Sequence, residues 1–482
     1  MSPQQEALAL LPEVLVLVGA VAALLTGSFL PRTRQWVAQG IASLALVAAA
    51  TSGALSAGAT ARTVYGSSYA LDVATSTARV VIPAAALLTI ALSTGRVRGD
   101  PRESEFSVLV LLASLGAMLL AGASDLLLLS VGYLLASIPL YALAGWGRDP
   151  RGAEAALKTY LLGALLGIVM LLGVSLLYGV GGGSTTYAAL GQGLPQAPPV
   201  AVGFGTVALL GGLLFKVGAV PAHFWVPDAI DGATVPAGAF LSTVPKIGGL
   251  IALYRLFLVI PDTDVSWRLL LALVAAASMT LGNFAAFRQD SPRRLLAYST
   301  ISQVGYLLMA VTVAGNTAAA LPALLLYLAG YAVTNLGAFA VVAALPELGT
   351  LDDYRGVARD HPALAGVLLV CLLGLVGTPP TAVFVGKLSV FTATWQGGHS
   401  WLVVVAAVNT VASLYYYLRW LAPTFSIERP PRDSAGHRSP SPGGSFHWGA
   451  ATMSAVTAGA LSVLLGLGAG WGLHLAAGTL VR

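Results

Sequence analysis

Continuous apolar runs of spanning length recur from one end of this sequence to the other, and no other feature constrains its fold as much. A membrane-crossing helix needs roughly 20 consecutive apolar residues. About fourteen such segments can be drawn, at residues 8–30, 36–58, 70–94, 104–122, 125–146, 154–178, 201–225, 233–259, 267–288, 293–314, 318–345, 363–395, 400–423 and 449–477. The runs are unbroken rather than alternating, so they read as helices and not as the roughly ten-residue strands of a membrane barrel. Charged residues make up 9% of the chain, against roughly 25% in a soluble domain. Such a chain cannot cover a globular surface with polar groups. The expectation is an all-α polytopic membrane protein, a single integral membrane domain over residues 1–482.

Arginine placement predicts the orientation. With the N-terminus outside, one set of loops carries Arg32, Arg34, Arg96, Arg98, Arg102, Arg148, Arg151, Arg288, Arg293, Arg294, Arg355, Arg359 and Arg419. Arg429, Arg432 and Arg438 join them in a polar, Pro/Ser-rich connector at 426–446. The other side carries Arg62, Arg255, Arg268 and Arg482. Positive charge collects on the cytoplasmic side, so both termini are expected outside a multi-pass plasma-membrane protein. The first apolar run is followed, not preceded, by arginines, which reads as a retained helix and not a cleaved signal. No basic stretch is interleaved with aromatics, so no nucleic-acid partner is expected. The single cysteine, Cys371, lies in an apolar run and reads as a buried hydrophobe. With no cysteine cluster, Walker loop or dinucleotide fingerprint, no metal or cofactor is expected in this chain.

Two segments look interrupted. The seventh reads GLLFKVGAVPAHFW, with Gly218 and Pro221 inside it. The twelfth reads LLGLVGTPPTAVFVGKL, with Gly377, Pro379 and Pro380. Proline removes a backbone donor and kinks a helix. Interrupted helices in corresponding places of two halves mark ion paths in transporters. The breaks lie five helices apart. Five is odd, so the halves are expected to be inverted repeats, at about 104–259 and 267–423, after three helices at 8–94 and before the last at 449–477.

The four lysines, Lys158, Lys216, Lys246 and Lys387, all fall inside these segments. An ionisable residue there costs on the order of 2.5–3.5 kcal/mol on insertion scales. Burial favours the neutral amine and a nearby carboxylate the charged one, so such a lysine can take up and release a proton. Lys216 and Lys387 stand beside the breaks. Lys246 follows Pro245, and Lys158, about two turns into its helix, could equally snorkel to the interface. His223 is seven residues after Lys216, on roughly the same face if the helix continues. It suits a proton relay as well as it suits bonding the backbone that Pro221 frees. Glu13, Asp72 and Asp125 lie at segment ends, and Asp228 and Asp231 in what reads as a loop after the seventh segment.

These motifs resemble a known family. KVGAVPAHFWVPDAIDGATVPAGAFLSTVPKIGG from Lys216, RRLLAYSTISQVGYLL from Arg293 and YLAGYAVTNLGAFAVV from Tyr327 look like signatures of the antiporter-like subunits of respiratory complex I, NADH-quinone oxidoreductase. LDDYRGVARDHPALA from Leu351 and LLGLVGTPPTAVFVGKLSVF from Leu372 do as well. EAALKTYLLGALLG from Glu154, with SIPLYAL before it, points to the subunit N branch. The likeness runs from about residue 105 to 425. It implies a membrane-arm subunit that translocates protons while NADH and quinone react elsewhere in the complex, with other membrane-arm subunits and the bilayer as partners. It implies a central-path role for Lys216, with Lys158 and Lys246 on neighbouring helices, Lys387 on the exit side, and His223 at a polar position after the break. There are two departures. The family's glutamate on helix five is Leu134 here, in GYLLASIPLYAL, and Gln303 stands where a histidine is frequent. The first removes a carboxylate and raises the reading of a divergent paralogue with a weakened half-channel. Two other readings share the fold: a subunit of a multisubunit cation/proton antiporter or membrane-bound hydrogenase, and a non-pumping structural subunit.

Overall fold

The computed structural model of the chain describes residues 3–58, 60–100, 102–261, 266–427 and 449–481. The expected connector, with Arg429, Arg432 and Arg438, and the terminal Arg482 fall outside the described residues, save for Ser426 and Ile427. Among the described residues, thirteen helices are long and apolar enough to cross a membrane. In chain order the crossings begin with α1 (Leu11–Phe29), α2 (Trp36–Leu55), α3 (Val73–Val97), α4 (Glu103–Gly122), α5 (Leu126–Ala144) and α6 (Pro150–Val180). The seventh is split into α7a (Pro199–Val217) and α7b (Trp225–Gly232). Then follow α8 (Val235–Phe257), α9 (Trp267–Ala286), α10 (Pro292–Thr312) and α11 (Ala320–Ala344). The twelfth is the pair α12a (Pro362–Val376) and α12b (Ala382–Gln396), two helices each too short to span alone. The series ends with α13 (Ser400–Thr424) and α14 (Ala450–Leu467). One hairpin, Arg62–Val64 against Tyr69–Leu71, interrupts the helical architecture between α2 and α3.

Acidic residues at segment ends start several helices. Asp72 accepts from Thr75 N at 3.1 Å to open α3, and Asp125 accepts from Leu127 N at 2.7 Å to open α5. Each occupies an N-cap, where a carboxylate satisfies donors the helix cannot use itself. Burial then sorts the helices. Some 94% of the spanning window is buried in α8 and in α10, and 89% in α11, against 33% in α6 and α13. The interior therefore consists of α8, α10 and α11, and polar side chains on these three helices face protein. The long side chains Leu161, Leu165, Ile168 and Leu172 of α6 are exposed and face outward.

The seventh segment is interrupted as expected, with α7a stopping at Val217. Two expectations need correcting. Asp228 and Asp231 are not in a loop. They lie on α7b, where Arg294 pairs with Asp228 at 3.3 Å and Arg293 with Asp231 at 3.7 Å. Arg255 is not a loop arginine: it sits in the last turn of α8, 3% exposed, with its charge met by Asp72.

Candidate functional site

Both interrupted helices stop by the same device. At Gly218, φ is +79°, and at Gly377 it is +97°. This left-handed conformation is open to glycine at little cost. In the first break Gly218 N bonds Phe215 O and Ala219 N bonds Leu214 O. In the second, Gly377 N bonds Gly374 O and Thr378 N bonds Leu373 O. The paired 5→2 and 6→1 bonds are a Schellman cap. The helices are thus ended by glycine, and the prolines expected to kink them come two or three residues later, in the connecting turns.

Each buried lysine meets neutral acceptors. Lys216, in the last turn of α7a and 2% exposed, donates to Ser137 Oγ of α5 and lies 4.8 Å from the centre of the Tyr133 ring. Lys246 of α8, with no exposed surface, donates to Leu241 O at 2.8 Å. That carbonyl is the one Pro245, lacking an N–H, leaves without its helical donor. Lys246 Nζ also lies 5.0 Å from the Trp225 ring, and Trp225 Nε1 donates to Phe215 O at 2.9 Å, so Trp225 ties Lys246 to the end of α7a. In the second break Lys387 of α12b donates to Leu375 O at 3.0 Å and Val376 O at 2.9 Å, the last carbonyls of α12a. Its Nζ is 4.1 Å from the Tyr306 ring. Among the described residues no carboxylate lies within ion-pair distance of these three lysines.

Between the two breaks, the interior helices carry two groups of hydrogen-bonded buried polar side chains. Asn335 Nδ2 donates to Ser242 Oγ at 2.7 Å and Thr243 Oγ1 at 3.0 Å, one turn from Lys246. Tyr331 OH bonds Ser242 O at 2.8 Å and Thr300 Oγ1 at 3.1 Å. Gln303, one turn on from Thr300 along α10, accepts from Tyr327 OH and donates to Leu375 O at 2.8 Å, the carbonyl that also holds Lys387. The amide at 303 therefore shares an acceptor with Lys387. It can donate and accept hydrogen bonds there but is not basic, as a histidine would be.

The remaining predicted residues stand apart. Lys158 is 45% exposed and pairs with Glu154 at 2.7 Å and Asp228 at 2.8 Å, beside Arg294. It lies within a spanning helix by sequence but belongs to a surface charge cluster in space. His223 is buried, with its ring 4.4 Å from that of Phe224. The helical register that would place it over Lys216 does not exist, because residues 218–224 are turn. Leu134 is 43% exposed on the outer side of α5, while its neighbour Tyr133 is buried against Lys216.

Two buried ion pairs were not legible as such. Arg79 of α3, 3% exposed, meets Glu13 of α1 at 2.7 Å, and Tyr69 OH donates to the same carboxylate at 2.6 Å. Arg255 bonds both oxygens of Asp72, at 2.7 and 2.6 Å, and Ala121 O at 2.7 Å. An arginine in the middle of the apolar run 70–94 was the available signal for the first. For the second, nothing in the sequence links residues 72 and 255. Among the described residues no group of three or more His, Cys, Asp or Glu is placed to hold a metal ion.

The chain is similar to known proteins over nearly its whole length. The family model described as NADH:quinone oxidoreductase/Mrp antiporter, TM, matches residues 123–413. NADH-quinone oxidoreductase subunit N 1 of Streptomyces griseus is 52% identical, over 98% of each chain. Subunit N of a Mycobacterium species is 50% identical, covering 95% of this chain and 96% of its own. A chain of respiratory complex I from Thermus thermophilus superposes with a TM-score of 0.81 at 36% identity, covering 97% of this chain and 100% of that one. A chain of the Mrp complex from Dietzia superposes at 0.84, with 23% identity, and shares the fold. The fold, the interrupted helices and these likenesses agree that the chain belongs to the NADH:quinone oxidoreductase/Mrp antiporter membrane family, in its subunit N branch.

Proposed function

We propose that this chain is a proton-translocating subunit in the membrane arm of an NADH-quinone oxidoreductase, and that Lys216, Lys246 and Lys387 carry the protons. The observation that supports this most is the buried axis itself: three lysines with no carboxylate in ion-pair distance among the described residues, and between them the polar side chains Ser242, Asn335, Tyr331, Thr300 and Gln303. Desolvated cations serve no packing purpose, and a lysine held by hydroxyls and carbonyls can exchange its proton when those acceptors move. The NADH and quinone chemistry belongs to other subunits, so the role of this chain is transport. Its five-helix units act as inverted halves, each with its interrupted helix in fourth place. It lies in the plasma membrane with both termini outside, among other membrane-arm subunits. Lys158 orders the α6–α7b surface through Asp228, and His223 packs the first break.

The test is the ratio of protons moved to quinone reduced, in vesicles holding the assembled complex. Lys216→Ala and Lys387→Ala should leave assembly intact and lower the ratio. Full assembly with an unchanged ratio would support the structural-subunit reading instead. Leu134→Glu probes the divergent position. Its side chain leaves the outer side of α5, so an added carboxylate is expected to leave the ratio and its dependence on Lys216 unchanged. A raised ratio would show that position 134 reaches the path.

A further inference from the structure

We propose that a cleft at the outer end of the first three helices binds an anionic phospholipid, with the phosphate on Arg62 and Ser76. The cleft measures about 570 Å³. It opens where α1 and α3 begin and α2 ends, so it lies at headgroup depth and not in the hydrocarbon. One lip is apolar and exposed: Leu8 at 67%, Leu11 at 39% and Leu55 at 89%. The inner wall is polar, with Ser76 and Arg79, and Arg62 stands at the mouth.

The charges there do not cancel. Arg79 is matched by Glu13, and Asp72, which also lines the cleft, is matched by Arg255. Arg62 has no acidic partner among the described residues and is exposed at the mouth. One positive charge is therefore left over. Donors tell the same story. Ser52 and Ser56 give their hydroxyl protons to their own helix, at Ala49 O and Gly53 O. The Ser76 hydroxyl makes no hydrogen bond among the described residues, and the Arg62 guanidinium keeps its fork of N–H groups. A phosphate diester accepts from both and neutralises the charge, which a zwitterionic lipid does less well. An acyl chain then runs over the exposed leucines, completing a polar-head, apolar-tail match. The inference is independent of which residues carry protons.

The experiment uses the intact purified complex, stripped of loosely bound lipid. It is equilibrated with phosphatidylcholine vesicles with and without phosphatidylglycerol, and retained lipid is counted by native mass spectrometry. The wild type should keep one phosphatidylglycerol that Arg62→Ala holds about fivefold less well, the scale of one exposed arginine at a charged lipid surface. Arg62→Lys should keep most of the retention, and Arg34→Ala, on the opposite side, all of it. Equal retention by wild type and Arg62→Ala would overturn the proposal, as would equal loss in Arg34→Ala. Retention of phosphatidylcholine to the same degree would overturn it too. Displacement of the lipid by millimolar inorganic phosphate would show a free-anion site instead.

Discussion

Two regions of this molecule bury positive charge, and they treat it in opposite ways. Around α1 and α3, Arg79 and Arg255 each face a carboxylate, at 2.7 and 2.6 Å. Along the axis of α7a, α8 and α12b, Lys216, Lys246 and Lys387 face a hydroxyl and main-chain carbonyls. Arginine stays protonated in a protein, so a buried one must be paired permanently. Lysine can exist in either form, so it can be buried against neutral acceptors. The difference separates permanently paired charges from the lysines proposed to carry protons. The Asp72–Arg255 pair pins the first residues of α3 to the end of α8. The Glu13–Arg79 pair pins α1 to α3. Neutralising one member of either pair leaves the other buried and unpaired, whereas the three lysines meet neutral acceptors.

That contrast is breakable. The largest effect is expected at the paired charges: Asp72→Asn leaves Arg255 buried and uncompensated, at about 3–5 kcal/mol. It should show as a lowered melting temperature or loss of the subunit from the complex. The ratio of protons to quinone in whatever assembles should be unchanged, and a changed ratio would place Asp72 on the path. The same pair predicts a pH dependence. Burial alone would raise the Asp72 carboxyl, but the Arg255 guanidinium and the Thr75 N–H more than offset it and hold it below the usual carboxylate range. A depressed folded value stabilises fully above the unfolded one, near 3.9, and the gain is lost as pH falls through the folded value. Thermal stability of the wild type should therefore fall as pH drops below about 5 and on through the folded value, with a smaller fall in Asp72→Asn.

Next in size is Ser137→Ala, which takes from Lys216 the one side-chain hydrogen-bond acceptor it has among the described residues. A hydrogen bond to a charged group is worth about 1.5–3 kcal/mol. The expected result is roughly a tenfold or greater loss in the rate of proton uptake, with little change in melting temperature. A stability loss with normal pumping would make Lys216 a structural residue like Arg255. Gly218→Ala follows, at about 1–2 kcal/mol for the left-handed backbone alone. Its Cβ would also stand 2.6 Å from Val226 Cγ2, so its cost should exceed that of Gly377→Ala, whose nearest atom is the flexible Lys387 Cδ at 3.0 Å. The smallest effect is Lys158→Ala. An exposed pair contributes about 0–1 kcal/mol, and Asp228 keeps Arg294. Stability and pumping should both stay near wild type.

How legible was this? The crossings were, because lipid admits only long apolar helices, and their limits followed from composition along the chain. The breaks were legible as places, from Gly218 and Gly377 with their prolines, but it is the glycines, not the prolines, that end the helices. Lys216, Lys246 and Lys387 were found because a charge in an apolar run is conspicuous. The polar groups between them were not, because Ser242, Thr300, Gln303, Tyr331 and Asn335 are single polar residues on three different helices. Nothing in one dimension says that they face one another.

By itself, the sequence determined the class of fold, the number of crossings and the presence of buried amines, since these depend on local hydropathy and local chemistry. Tertiary structure decided which charges can vary. It gave Arg79 and Arg255 their carboxylates and placed none of the described carboxylates beside the three axial lysines. It carried Lys158 out to a surface cluster, although its sequence setting resembles theirs. The physical reason is that the state of a buried charge depends on what lies within a few ångströms of it. For Arg255 that neighbour is Asp72, a residue far away in the sequence.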